Sequence, residues 1–121
     1  VNERMDLTPE AIQKLQEEHG GITHDRDARK DRPVCRGVLD YFPDAIFEIA
    51  HVSFVGNQQH NPGQPMHWSK EKSTDHGDAL VRHLLERGKR DTDGLRHTAK
   101  VAWRALAMLQ TELEAERERS K

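Results

Sequence analysis

Apolar positions are sparse at the start of the chain, recur with helical period through its middle, and widen into a broad stripe near its end. Leu7-Thr8-Pro9-Glu10 predicts a helix start, with Thr8 as N-cap and Pro9 at the first helical position, where its missing N–H costs nothing. Ile12 and Leu15 give that segment a meagre apolar side, and Gly20-Gly21 stops it. From Ile22 to Arg36 the residues are charged and nearly free of large apolar groups, the pattern of an exposed arm that orders against a partner subunit.

Compact structure is expected from Gly37 onward. Pro43 opens a helix predicted to run to about Val55, with Ile46, Ile49, Ala50 and Ser53 on one side and Asp44, Glu48 and His51 on the other. Gly56 is read as its end, and Asn57 to Lys72 as a long loop of Asn, Gln, His, Gly and Pro. A loop of that length in so small a domain is more often functional than incidental. Ser73 or Thr74 then caps a second helix ending at Arg87-Gly88, with Leu80, Val81 and Leu84 as its buried side and Asp75, Asp78, Arg82 and Glu86 along another.

A third helix is expected to start at Asp91 or Asp93. Leu95, Ala99, Ala102, Leu106, Leu109 and Leu113 recur along it at four- and three-residue steps, flanked by Val101, Ala105 and Met108 on one side and Trp103 on the other. An arc this wide cannot be covered inside one small chain, so a homodimer or homotetramer is expected. Nothing alternates as a strand would. The pattern predicts an all-α fold, a small helical bundle completed by oligomerisation, with residues 1–36 as N-terminal helix and charged arm and 37–121 as the helical domain.

Composition sharpens this picture. With 121 residues, 34% hydrophobic and 33% charged, one domain with a thin core is the expectation. A net charge of -2 argues against stable nucleic-acid binding driven by phosphate neutralisation. Cys35 is the only cysteine, which excludes an intrachain disulfide and a thiolate metal cluster and fits a reducing cytoplasm. No apolar run is long enough to span a membrane.

The candidate chemistry lies in two acidic pairs. Asp44 and Glu48 are one turn apart on one helix, and Asp75 and Asp78 one turn apart on the next. Antiparallel packing of the two helices would gather four carboxylates, whose mutual repulsion Mg²⁺ or Mn²⁺ would relieve. The plainer reading is that Asp44 and Asp75 only complement helix dipoles. The loop offers Asn57, His60 and Asn61 to hold a base and sugar, Trp68 to stack, and Lys72 to meet phosphates, with Arg82 on the second helix able to join them. A surface loop with its Trp folded inward is the bland alternative, as is a simple salt bridge for Arg82. Eight histidines invite a zinc reading, but His51, His76, His83 and His97 show no strong zinc spacing.

Several stretches together resemble the MazG-like superfamily of all-α nucleoside triphosphate pyrophosphohydrolases, and within it the dATP/dGTP diphosphohydrolase (MazZ-type) proteins of bacteriophages. They are Tyr41-Phe42-Pro43-Asp44-Ala45, Phe54-Val55-Gly56-Asn57, His60-Asn61-Pro62-Gly63 through His67-Trp68, Asp78-Ala79-Leu80-Val81-Arg82-His83-Leu84, and Asp93-Gly94-Leu95-Arg96-His97. The resemblance covers about two-thirds of the chain, from Gly37 to about Leu113. It implies a MazG-like bundle that forms dimers or tetramers and, for a phage protein, a place in the host cytoplasm. It also implies metal-dependent hydrolysis of a purine deoxynucleoside triphosphate, dGTP or dATP, to the monophosphate and pyrophosphate. Glu48, Asp75 and Asp78 then stand at the catalytic acids, with Asp44 as a further metal ligand; Asp75 replaces a Glu, and the doubled Glu of the first helix is missing. A non-catalytic nucleotide-binding or sequestering protein using the same pocket is the rival expectation.

Overall fold

The structure is a computed structural model that describes residues 8–10 and 25–120. Among the described residues four α-helices are complete: α1 (Arg26–Lys30), α2 (Pro43–His60), α3 (His76–Leu85) and α4 (His97–Arg119), with one π-helical turn at Cys35–Leu39 and one 3₁₀ turn at Lys70–Lys72. No strand forms among the described residues, and the all-α expectation holds. Pro9 and Glu10 are helical, as the first start signal predicts; Ile12, Leu15 and the Gly20-Gly21 stop lie outside the described residues.

α1 shows why the arm is not featureless. Asp25 caps it, its carboxylate accepting from the backbone N–H of Asp27 at 3.0 Å, which satisfies one of the donors that a helix start leaves open. All but one of its residues are exposed, so the cap rather than packing holds this turn.

α2 begins at Pro43, as its ring predicts, but runs through Gly56 to His60. The expected stop fails because the following loop supports the extra turn: Asn61 donates its backbone N–H to the Asn57 carbonyl at 2.8 Å, and the Asn57 side chain ties the loop back onto the helix. A helical glycine costs about 1 kcal/mol, a penalty such ties can offset.

α3 starts at His76, one or two residues later than a Thr74 or Ser73 cap predicts, with Asp75 in the cap position. Its packed side also differs from expectation. His76 and Ala79 are buried, with Leu80 and His83 half-buried, whereas Val81 and Leu84 are exposed. Ala79 has no exposed surface at all, and a residue this small lets a neighbouring helix approach closely. That neighbour is α4, against which α3 makes the most extensive helix packing; α2 also packs on α4, and α2 and α3 do not touch.

α4 starts at His97 rather than at Asp91 or Asp93, because residues 89–97 close into a tight turn. The Asp91 N–H donates to the Leu95 carbonyl at 2.7 Å and the His97 N–H to the Lys89 carbonyl at 3.1 Å, around Gly94 at φ +83°. That dihedral is ordinary for glycine and unfavourable for any residue with a Cβ. Of the predicted stripe, Leu95 and Ala99 are buried together with Ala107, while Leu106, Leu109 and Leu113 remain about half exposed. The wide arc thus outruns what one chain covers. No described helix is long and apolar enough to cross a membrane.

Candidate functional site

A cavity of about 520 Å³ opens between the C-terminal half of α2, the loop 61–73 and the N-terminal half of α4. Five of the residues expected to bind substrate line it: Asn57, His60, Asn61, Trp68 and Lys72. The loop folds over the cavity because Asn57 organises it. Its amide oxygen accepts from the His67 backbone N–H at 3.1 Å and from Asn61 at 3.3 Å, and its NH₂ donates to the Gln64 carbonyl at 3.0 Å. Asn57 is therefore committed to shaping the loop, whereas the Asn61 side chain spends only one bond on Asn57.

One wall is aromatic. Trp68 meets Trp103 edge to face, with ring centroids 5.5 Å apart, and both rings flank His76 at 6.3 and 6.2 Å. The Trp103 indole N–H donates to the Ser53 hydroxyl at 2.7 Å and so links α4 to α2. Arg104, next along α4, donates to the Ser73 hydroxyl at 2.7 Å and sits 2.9 Å from His76 Nδ1. Burial and the Arg104 guanidinium hold the His76 imidazole below its ordinary pKa, which keeps it neutral and leaves Nδ1 free to accept from Arg104. At the rim Lys70 lies over the Trp68 ring, 5.0 Å from its centroid, and pairs with Glu114 of α4.

The other wall is ionic. Lys100 reaches from α4 into the 89–97 turn and holds Asp91 at 2.7 Å and Asp93 at 2.8 Å. These bonds and the Thr92 N–H pull the Asp91 carboxyl down to about 2. Burial works against ionisation of Asp93, yet bonds from Lys100 and the Leu95 N–H keep it below the usual carboxylate range. Behind them His83 and His97 face each other, Nδ1 to Nδ1, at 2.9 Å. The His83 imidazole is pushed down by burial, then by Lys100 and His97. His83, Asp91 and His97 each place a ligating atom within 4.8 Å of the others, a group that could hold a metal ion.

The acidic residues stand elsewhere. Because α2 and α3 both pack on α4 and not on each other, one chain does not bring Asp44, Glu48, Asp75 and Asp78 together as antiparallel packing of their helices would have done. Asp44, Glu48 and Asp78 are exposed. Glu48 lies one turn before Val52, a cavity residue. Asp75 accepts from the cavity residue Ser73 at 3.1 Å, which lowers its carboxyl pKa, with Arg104 and Arg82 adding to the effect. Arg82 is outside the cavity, in a 3.6 Å surface pair with Asp75 of the kind that contributes little.

Periodicity did not point to Gln59, His83, Asp93, Trp103 or Arg104, which also line the cavity. Trp103 and Arg104 lie beside the apolar stripe, where a tryptophan next to an arginine was the available signal. His83 and His97 were visible only as isolated helical histidines, since their meeting depends on the turn between them.

The family model described as dATP/dGTP diphosphohydrolase, N-terminal, matches residues 23–121. No curated protein and no solved structure shows a significant match.

Proposed function

The chain belongs to the dATP/dGTP diphosphohydrolase N-terminal family, and from that premise we propose that it hydrolyses dGTP or dATP to the monophosphate and pyrophosphate. The observation that carries the proposal is the cavity itself. It joins a stacking surface, Trp68 and Trp103, to the cations Lys72, Lys100 and Arg104 in one space. A nucleotide needs that pairing, a flat apolar wall for the base and positive charge for the phosphates.

In this reading Trp68 stacks on the base, while Asn61 and His60 contact base edge and sugar. Asn57 holds the loop in place over them. Lys72 and Arg104 meet the phosphates; Lys100 is already occupied by two carboxylates and serves mainly to fix them. Arg82 would join only from outside the cavity.

Hydrolysis of this kind calls for a divalent ion, Mg²⁺ with Mn²⁺ as the alternative, which when bound polarises the phosphates and lowers the pKa of a coordinated water. The carboxylates of Glu48, Asp75 and Asp78, with Asp44 behind them, are hard oxygen donors and suit it chemically. Glu48 and Asp75 are the two that adjoin cavity residues. Because the pairs are on helices that do not touch, a shared site needs a second copy of the chain, consistent with the homodimer or homotetramer proposed from the open apolar arc. The same separation favours a second reading, a protein that binds the nucleotide without turning it over.

One experiment addresses both readings. The protein is incubated with each deoxynucleoside triphosphate and Mg²⁺, and products are resolved by chromatography. Purine nucleotides are expected to yield monophosphate and pyrophosphate at least about tenfold faster than pyrimidines, a difference of about 1.4 kcal/mol. Release of inorganic phosphate would overturn the assignment. A purine-induced rise in melting temperature with no product would establish the binding protein instead.

A further inference from the structure

We infer that His83, Asp91 and His97 form a binding site for a zinc-class transition ion, distinct from the carboxylate site proposed for Mg²⁺. Two nitrogens each about 2.0–2.1 Å from one ion stand about 2.9–3.4 Å apart, across right-angled to tetrahedral arrangements. The Nδ1 atoms of His83 and His97 are already 2.9 Å apart, with ring centroids 5.2 Å apart, so they face each other head-on. Each ring needs only to turn by roughly 35° for both to ligate one tetrahedral ion. In its absence one of the two nitrogens must carry a proton to bridge them, and an ion substitutes for that proton.

The third donor is held for the same purpose. Asp91 belongs to a turn closed by three backbone bonds, Asp91 to Leu95, Gly94 to Asp91 and His97 to Lys89, so Asp91 and His97 are fixed relative to each other. Lys100 and the Thr92 N–H orient its carboxylate, which is the outer support that metal ligands characteristically have. Lys100 brings one positive charge against the two negative charges of Asp91 and Asp93, so a dication meets a net attraction.

The donor set selects the ion. Two imidazoles with one carboxylate suit Zn²⁺, Co²⁺ or Ni²⁺, whereas Mg²⁺ prefers oxygen donors throughout. Three protein ligands leave coordination positions for water, the layout of a reactive site and not of a closed structural one. His83 also lines the cavity, so the ion would stand in its wall. The inference does not depend on the proposed hydrolysis, and its test uses metal alone.

The whole protein, stripped with a chelator, is titrated with Zn²⁺ by calorimetry and with Co²⁺ by visible absorption. One ion per chain is expected, undisturbed by excess Mg²⁺. His83→Gln and His97→Gln should each weaken it at least about 100-fold, since losing an outer support alone costs about 10–100-fold. His51→Gln, on the exposed face of α2, should bind as the unaltered protein does. Absence of saturable binding, or full affinity in His97→Gln, overturns the inference. Should the variants fail to fold, nitrogen-15 spectra of the unaltered protein decide: Zn²⁺ must shift the Nδ1 resonances of His83 and His97, and unmoved resonances refute the site.

Discussion

Along the α4 wall of the cavity the polar side chains have partners before any ligand arrives: Trp103 bonds Ser53, Arg104 bonds Ser73 and His76, and Lys100 bonds Asp91 and Asp93. On the outer faces of the helices Asp44, Glu48 and Asp78 stand in solvent beside Phe47, 79% exposed, and Leu85, 73% exposed. The cavity wall is preorganised, and preorganised groups lose little freedom on binding. The outer faces combine charge with uncovered apolar area, which is how an unfinished interface reads. One chain therefore combines a cavity with a largely partnered wall and an outer surface with exposed apolar residues.

The largest effect should come from breaking the preorganised side. Trp103→Ala removes the ring that joins Trp68, His76 and Ser53, and should cost about 3–5 kcal/mol by denaturant unfolding. Trp103→Phe should recover most of this, less about 1 kcal/mol for the bond to Ser53. A loss well under 1 kcal/mol for the alanine variant would mean the aromatic wall does not hold α2 to α4.

Next comes the unfinished side. Leu106→Glu or Leu109→Glu places a charge on the exposed apolar arc and should convert a dimer or tetramer to monomer by light scattering. A clean monomer for the unaltered protein at micromolar concentration would show that the arc has no second copy to meet.

The acids test whether the outer faces matter to chemistry. Asp78→Asn and Glu48→Gln delete a charge and keep the shape, so Mg²⁺-dependent pyrophosphate release should fall at least about 100-fold, about 2.7 kcal/mol, while the circular dichroism spectrum is unchanged. Unaltered turnover in both would separate these carboxylates from the reaction and leave the cavity as the whole site.

Within the cavity, Trp68→Ala should weaken purine nucleotides together by about tenfold, since stacking does not distinguish guanine from adenine. Asn61→Ala should instead change the ratio between bases, by about 1–3 kcal/mol for a lost partner. Equal loss for every nucleotide in Asn61→Ala would make it a loop residue like Asn57.

The smallest effect is on acid stability. Asp91 has a folded pKa of about 2 against an ordinary 3.8, so its pairing stabilises the fold above about pH 4, and that contribution disappears as pH falls toward 2. His76 and His83 are depressed from 6.5, so the unfolded chain takes up protons first and some stability is already lost as pH drops below about 6.5. Melting temperatures should therefore decline in two stages. Lys100→Met should shrink the lower stage to what the Thr92 and Leu95 N–H bonds sustain, and an undiminished lower stage would show that Lys100 does not hold the carboxylates.

Much of this was legible locally. Pro43 opens α2, and Asn61, Trp68 and Lys72 line the cavity from the segment after it, whereas Asn57 and His60, expected in the same loop, reach the cavity from the last turns of α2. The errors have local causes as well. Gly56 acts as a stop only where nothing downstream supports the turn, and Asn57 supplies that support. Val81 and Leu84 read as core by hydropathy, yet the helix turns its smaller Ala79 toward α4 and leaves them outside.

The sequence by itself determined α2, α3 and α4, their order and the family, because periodicity, proline and capping act within a turn or two of chain, while α1 was hidden in the charged arm. Only the tertiary structure decided which acids and histidines meet. Asp44–Glu48 and Asp75–Asp78 were related by an assumed helix pairing that α4 prevents by packing between both. His83 and His97, fourteen residues apart, are joined because the 89–97 turn reverses the chain and returns α4 along α3. Spacing along a helix specifies a face; which faces meet depends on how the helices pack, and that is a property of the whole chain.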